Sequence, residues 1–166
     1  VKREHSLQLL KKHVKDSANF NHSLETEVIM RALAKKLNEN EDLWGATGLL
    51  HDLDWEETMN NPQKHALLGG EYLKQADYPN ELIQAVLAHN YENNKMPFAQ
   101  TKLTYALRAG ESITGLIYAA ALVRPDKKLA LAEVKSIKKK MKVMPAIRSI
   151  IDKGVMRDFF SHLLYF

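Results

Sequence analysis

At 166 residues, with 45% hydrophobic and 27% charged side chains, the chain has the size and composition of a single globular domain with a buried core. Cysteine is absent, which excludes disulfides and thiolate ligands, so any metal must be held by nitrogen and oxygen. Twenty-four basic against twenty acidic residues leave a net charge of +4, too small an excess to define a partner.

Strand signals are nearly missing, with no sustained alternation and no Asn-Gly or Asp-Gly turn. Helical signals run throughout. The spacing predicts an opening helix over 2–15, with Leu7, Leu10 and Val14 inward, and a second over 21–37 carrying Leu24, Val28, Ala32 and Leu33. A third is expected over 41–55. It is apolar or small almost all round from Trp44 to Trp55, which places it in the middle of a bundle. Its Gly45, Ala46 and Gly48 imply close packing of neighbouring helices.

Asn61-Pro62 reads as the cap and first residue of a fourth helix, and Asp77-Tyr78-Pro79 ends it and launches a fifth that reaches His89 or Asn90. Residues 91–99 read as a loop, and Thr101 as the cap of a long sixth helix to Val123. Shorter helices are expected over 129–142, 146–153 and 156–164. In and just beyond the first of these, Val134, Ile137, Met141 and Met144 recur at helical spacing. Lys135, Lys138, Lys139, Lys140 and Lys142 then form its solvated face. No aromatics interleave with these lysines, so a nucleic-acid partner is not expected. The organisation is one all-α bundle over 1–166, with a motif-bearing core at 20–126 and C-terminal helices at 127–166.

The apolar stretch 113–123 is too short to span a bilayer, and Val1-Lys2-Arg3-Glu4-His5 carries no apolar signal region. A cytoplasmic protein without membrane contact is the expectation.

Polar residues on the apolar faces carry the functional signal. His22 lies on the inward side of the second helix, and His51-Asp52 close the apolar third helix. His89 shares a face with Leu82 and Val86, and Glu111 with Leu107, Thr114 and Tyr118. His65 is expected in the first turn of the fourth helix, where the dipole keeps imidazole neutral and the helix start can receive a phosphate. A buried ionised carboxylate needs a partner or a metal, so inward histidines with inward acids read most economically as ligands of a common centre. Singly, each has a plainer reading: a hydrogen-bonded core histidine, a helix-end histidine, or an Arg108–Glu111 surface pair. His5, His13 and His162 lie near the termini without an acidic partner and are assigned nothing.

The ordered set His22, His51-Asp52, His65, His89 and an acid in the sixth helix, together with Asn21-His22-Ser23-Leu24 and Gly48-Leu49-Leu50-His51-Asp52-Leu53-Asp54, resembles the HD-domain metal-dependent phosphohydrolases. The resemblance covers residues 20–126 and implies an all-α HD-domain-like fold. It implies one metal on His22, His51, Asp52 and a later acid, and a second metal on His65 and His89. The later acid is usually Asp in that family. No Asp occurs between Tyr78 and Pro125, so Glu111 takes the position here. Leu53-Asp54 stands where an apolar residue followed by Gly is commoner in that family, and Asp54 serves either as support for a ligand histidine or as a cap for a neighbouring helix.

Histidine and carboxylate ligands suit one or two ions of manganese, iron, cobalt, nickel or zinc, and magnesium less well. A bound metal lowers the pKa of water towards ~7. The implied activity is hydrolysis of a nucleotide or related small phosphate ester by metal-activated water, with Asp52 as the catalytic residue that orients or deprotonates it. Lys64, Asn90 and Arg108 are candidate phosphate contacts because they adjoin the ligands in sequence. Two alternatives remain at this level: a di-iron oxygenase on the same scaffold and a non-catalytic helical interaction module.

Overall fold

A computed structural model describes residues 1–122, Pro125 and 133–141. Among the described residues there are nine α-helices and no strand, so the all-α expectation holds. They are α1 (Arg3–His13), α2 (Ser17–Leu37), α3 (Glu41–Leu50), α4 (Trp55–Thr58), α5 (Leu67–Gln75), α6 (Asn80–His89), α7 (Tyr91–Asn94), α8 (Lys102–Leu122) and α9 (Val134–Met141). The helices expected over 146–153 and 156–164 lie outside the described residues. No helix of the described residues is long and apolar enough to cross a membrane.

The chain divides into two compact units, Val1–Gly110 and Glu111–Phe166. In the first, α3 lies against α1, α2 and α6, the central position its composition predicts. Trp44 to Leu50 are all buried, and the core around them joins Leu10, Val14, Leu53, Leu73, Leu82 and Val86. α2 approaches α3 very closely at Gly48. A Cβ there would stand 2.8 Å from Met30 Cγ and 2.8 Å from the Thr26 carbonyl oxygen. The second unit contains the distal part of α8 and the lysine-rich α9, whose Val134, Lys135 and Lys139 are exposed.

Local hydrogen bonds set the boundaries that periodicity misplaces. α2 starts at Ser17, ahead of the expected 21, because the Asp16 carboxylate accepts from Ala18 N and Asn19 N at 3.0 Å each. It ends at Asn38, which adopts a left-handed φ of 56° and donates back to Ala34.

α3 stops at Leu50, short of the expected 55. The chain tightens into turns in which Leu53 N reaches Leu50 O and Trp55 N reaches Asp52 O. The fourth expected helix starts at Leu67, not at Asn61. Residues 61–66 turn tightly, with Lys64 N on Asn61 O and Leu67 N on Lys64 O, and Ala66 takes φ 70°, which a right-handed helix cannot include. The expected loop at 91–99 contains α7, closed by Lys95 at φ 62°.

Candidate metal centre

Four separate pieces of backbone deliver imidazoles to one carboxylate. α2 carries His22, the turn after α3 carries His51 and Asp52, the turn before α5 carries His65, and His89 is the last residue of α6. The two oxygens of Asp52 face different partners. Oδ2 lies 3.3 Å from His51 Nε2 and 3.7 Å from His22 Nε2. Oδ1 lies 3.3 Å from His65 Nε2 and 3.4 Å from His89 Nε2. Two groups result, His22-His51-Asp52 and Asp52-His65-His89, each with donor atoms within 4.8 Å of one another and each able to hold a metal ion.

Backbone carbonyls fix which ring nitrogen carries the proton. His51 Nδ1 donates to Gly48 O at 2.8 Å, and His89 Nδ1 donates to Val86 O. A carbonyl only accepts, so in the neutral rings Nε2 presents its lone pair inward. In His51 that lone pair points at a carboxylate oxygen, an arrangement that favours a cation between them. Burial and the close approach of the His51 ring hold the His22 pKa below its usual value, against the pull of Asp52, which favours the neutral ring. Burial alone would raise the Asp52 pKa, but the imidazoles of His51, His65 and His89 hold it well below the usual range. The donor set of imidazole nitrogen and ionised carboxylate fits a divalent transition metal.

His65 differs from its expected state. It precedes α5 and lies between two carboxylates, with Nδ1 donating to Asp54 Oδ1 at 2.9 Å and Nε2 facing His89 Nε2 at 3.1 Å as well as Asp52. Lying between the Asp52 and Asp54 carboxylates, His65 is favoured in the form protonated on both nitrogens. Burial lowers its pKa, but the hydrogen bonds to Asp52 and Asp54 outweigh it and raise the value from 6.5 to about 9. The expectation of an imidazole kept neutral by a helix start is therefore reversed. A metal bound to this group must displace that proton.

In metal-free protein the His65 ring should titrate near 9 in nitrogen-detected NMR, and the titration should vanish once metal is added. Its folded pKa is raised, so the stability its proton confers is complete below 6.5 and is lost as pH rises towards 9. A His65 titration near 6.5 in metal-free protein would refute this assignment.

Asp54 does both things the sequence left open. It is fully buried, orients His65 through Oδ1 and accepts from Gly69 N, in the first turn of α5, through Oδ2 at 2.8 Å. That amide of the first turn is thereby taken by Asp54.

Asn90 adjoins His89, yet its Nδ2 donates to Pro62 O at 2.8 Å and to His65 O at 2.9 Å, while its Oδ1 accepts from Asn93. Both amide protons brace the His65 turn. Arg108 is likewise turned inward. It pairs with both Glu92 oxygens at 2.8 and 2.7 Å, donates to His89 O at 3.3 Å and lies 4.9 Å over the Tyr91 ring. Its guanidinium ties α8 to the end of α6. Lys64 is exposed directly before His65. Glu111 opens the second unit, half-buried in α8, with its carbonyl accepting from Thr114 Oγ1 at 2.6 Å.

A family model described as HD domain matches residues 19–138. The chain belongs to the HD-domain family. Curated relatives are ribonucleases Y. That of Fusobacterium nucleatum is 34% identical over 71 residues, which is 43% of this chain and 14% of that protein. That of Rubrobacter xylanophilus is 31% identical over 71 residues, with the same shares. That of Lawsonia intracellularis is 27% identical over 112 residues, 68% of this chain and 20% of that protein. The chain spans at most 20% of the length of these relatives. No solved structure matches it. Relatives named as ribonucleases leave the expectation of no nucleic-acid partner without support.

Proposed function

We propose that the chain is a metal-dependent phosphohydrolase that cleaves a phosphate ester of the nucleotide class. The observation that carries this reading is the Asp52 carboxylate, whose two oxygens each face their own pair of imidazoles. In this reading His22, His51, Asp52 and Glu111 hold one ion, and Asp52, His65 and His89 a second. An ion so held supplies Lewis-acid polarisation of the phosphoryl oxygens and a nucleophile from water at neutral pH. Asp52 keeps its negative charge between the two groups and orients the attacking water. The Gly48 and Val86 carbonyls hold His51 and His89 in their inward tautomers, and Asp54 does the same for the His65 ring. In this reading Lys64, exposed beside His65, meets the substrate phosphate. The ribonuclease relatives extend the substrate class to RNA phosphodiesters.

Protein purified without chelator or affinity tag should carry one or two transition-metal ions and hydrolyse bis-p-nitrophenyl phosphate. Chelation should abolish that hydrolysis, and manganese, iron, cobalt, nickel or zinc should restore it. Full activity in metal-free protein would overturn the reading. Glu111→Gln should weaken the first ion while Glu111→Asp retains it. Metal content unchanged by Glu111→Gln would remove Glu111 from the ligand set without touching the rest.

A further inference from the structure

The two metal-ligand groups contain imidazoles and carboxylates only, so nothing in them reads the organic part of a substrate. Directly beside them stands an aromatic side chain that the chemistry does not use. Trp55 is 37% exposed, yet its ring lies 5.1 Å from that of His65 at an interplanar angle of 80°. Most indoles are buried when folding allows it, as Trp44 is at 2% exposure.

The helix that carries Trp55 is firmly held. Glu56 Oε1 accepts from Lys15 N and Asp16 N at 2.8 Å each. Glu57 accepts from the Tyr72 hydroxyl at 3.0 and 3.1 Å, and Thr58 Oγ1 donates to Asp54 O at 2.8 Å. These contacts direct the acidic side chains of α4 towards the turn between α1 and α2 and towards α5. Trp55 and, one turn on, Met59 at 56% exposure are left on its solvent side. Lys64, also exposed, precedes the histidine that Trp55 touches. A rigidly mounted indole, an apolar neighbour and a cation at the rim of a phosphate-handling centre form the combination that binds a base-bearing phosphate.

We infer that Trp55 is a stacking platform for the nucleobase of the substrate, which makes the preferred substrate a nucleotide or single-stranded RNA and not a sugar phosphate. The inference rests on the phosphohydrolase reading. Any base offers a π-face, so the stack selects for the presence of a base without selecting which one.

Because Trp44 is buried, the solvent-accessible fluorescence of the protein belongs to Trp55. Uridine 5′-monophosphate and a short oligouridine should quench it saturably, and ribose 5-phosphate should not. Trp55→Ala should lower the preference in kcat/KM for the nucleotide over ribose 5-phosphate by about tenfold, and Trp55→Phe should restore most of it. Equal quenching by ribose 5-phosphate and nucleotide would overturn the inference. So would a Trp55→Ala variant that loses metal and activity on both compounds in equal measure, since Trp55 would then only pack His65. If the protein cleaves no phosphate ester at all, the phosphohydrolase reading fails, and the quenching comparison still decides whether Trp55 binds a base.

Discussion

Asp52→Asn should strip both ions from the protein and lower phosphoester hydrolysis on the order of 10³-fold, with the helical fold retained. The expectation follows from one side chain facing both groups, at 3.3 Å from His51 on one oxygen and 3.3 Å from His65 on the other. Asparagine keeps the shape but removes the charge, and its NH2 replaces one acceptor with a donor aimed at imidazole lone pairs. The histidine variants should behave differently. His22→Ala should cost the ion of the first group, and His65→Ala that of the second. Metal analysis alongside hydrolysis of bis-p-nitrophenyl phosphate separates these outcomes. An Asp52→Asn protein that keeps both ions and full activity would show that neither group depends on the shared carboxylate.

Gly48→Val should be the most damaging change among residues that touch no ligand atom. Even a single methyl at this position meets Met30 and the Thr26 backbone at 2.8 Å, and backbone cannot step aside as a flexible side chain does. Overpacking of this kind costs about 1–3 kcal/mol, which lowers the melting temperature by roughly 2–12 °C for a chain of this size. The strain lies between the helix that carries His22 and the helix that directly precedes His51, and the rings of these two histidines are 5.1 Å apart. The first ion should therefore weaken well before the second, whose histidines stand on other segments. Thermal unfolding and metal titration of the same variant test both halves. An unchanged melting temperature would mean that α2 and α3 have slack that the close approach does not show.

The amino-acid pattern made the helical class legible, and the grouping of His22, His51, Asp52, His65 and His89 was legible as an ordered set of histidines and an acid along helical segments, although His51, Asp52 and His65 sit in turns at the helix ends. What it did not carry are the interactions that periodicity cannot encode. The halt of α3 after Leu50 involves short-range turns, and it changes the reading of Trp55 from a core residue to an exposed one at the rim. Charge on His65 depends on Asp54, eleven residues away, and no helix-dipole argument anticipates a second carboxylate. Asn90 and Arg108 adjoin the ligands in sequence. Adjacency says nothing of direction, and both turn towards carbonyls and, for Arg108, towards Glu92. Glu92 itself had one available signal, an acid in a polar segment next to an aromatic, too common to single out.

Asp54 has a consequence for motion. Its carboxylate joins His65 to the amide of Gly69, so the ligand ring and the opening turn of α5 share one acceptor group. Helix ends open locally far more often than whole domains unfold. Each opening of this one releases Asp54 and with it the orientation of His65. Hydrogen exchange at the Gly69 amide is then a clock for the site, slow while the second group is assembled and fast when it is not.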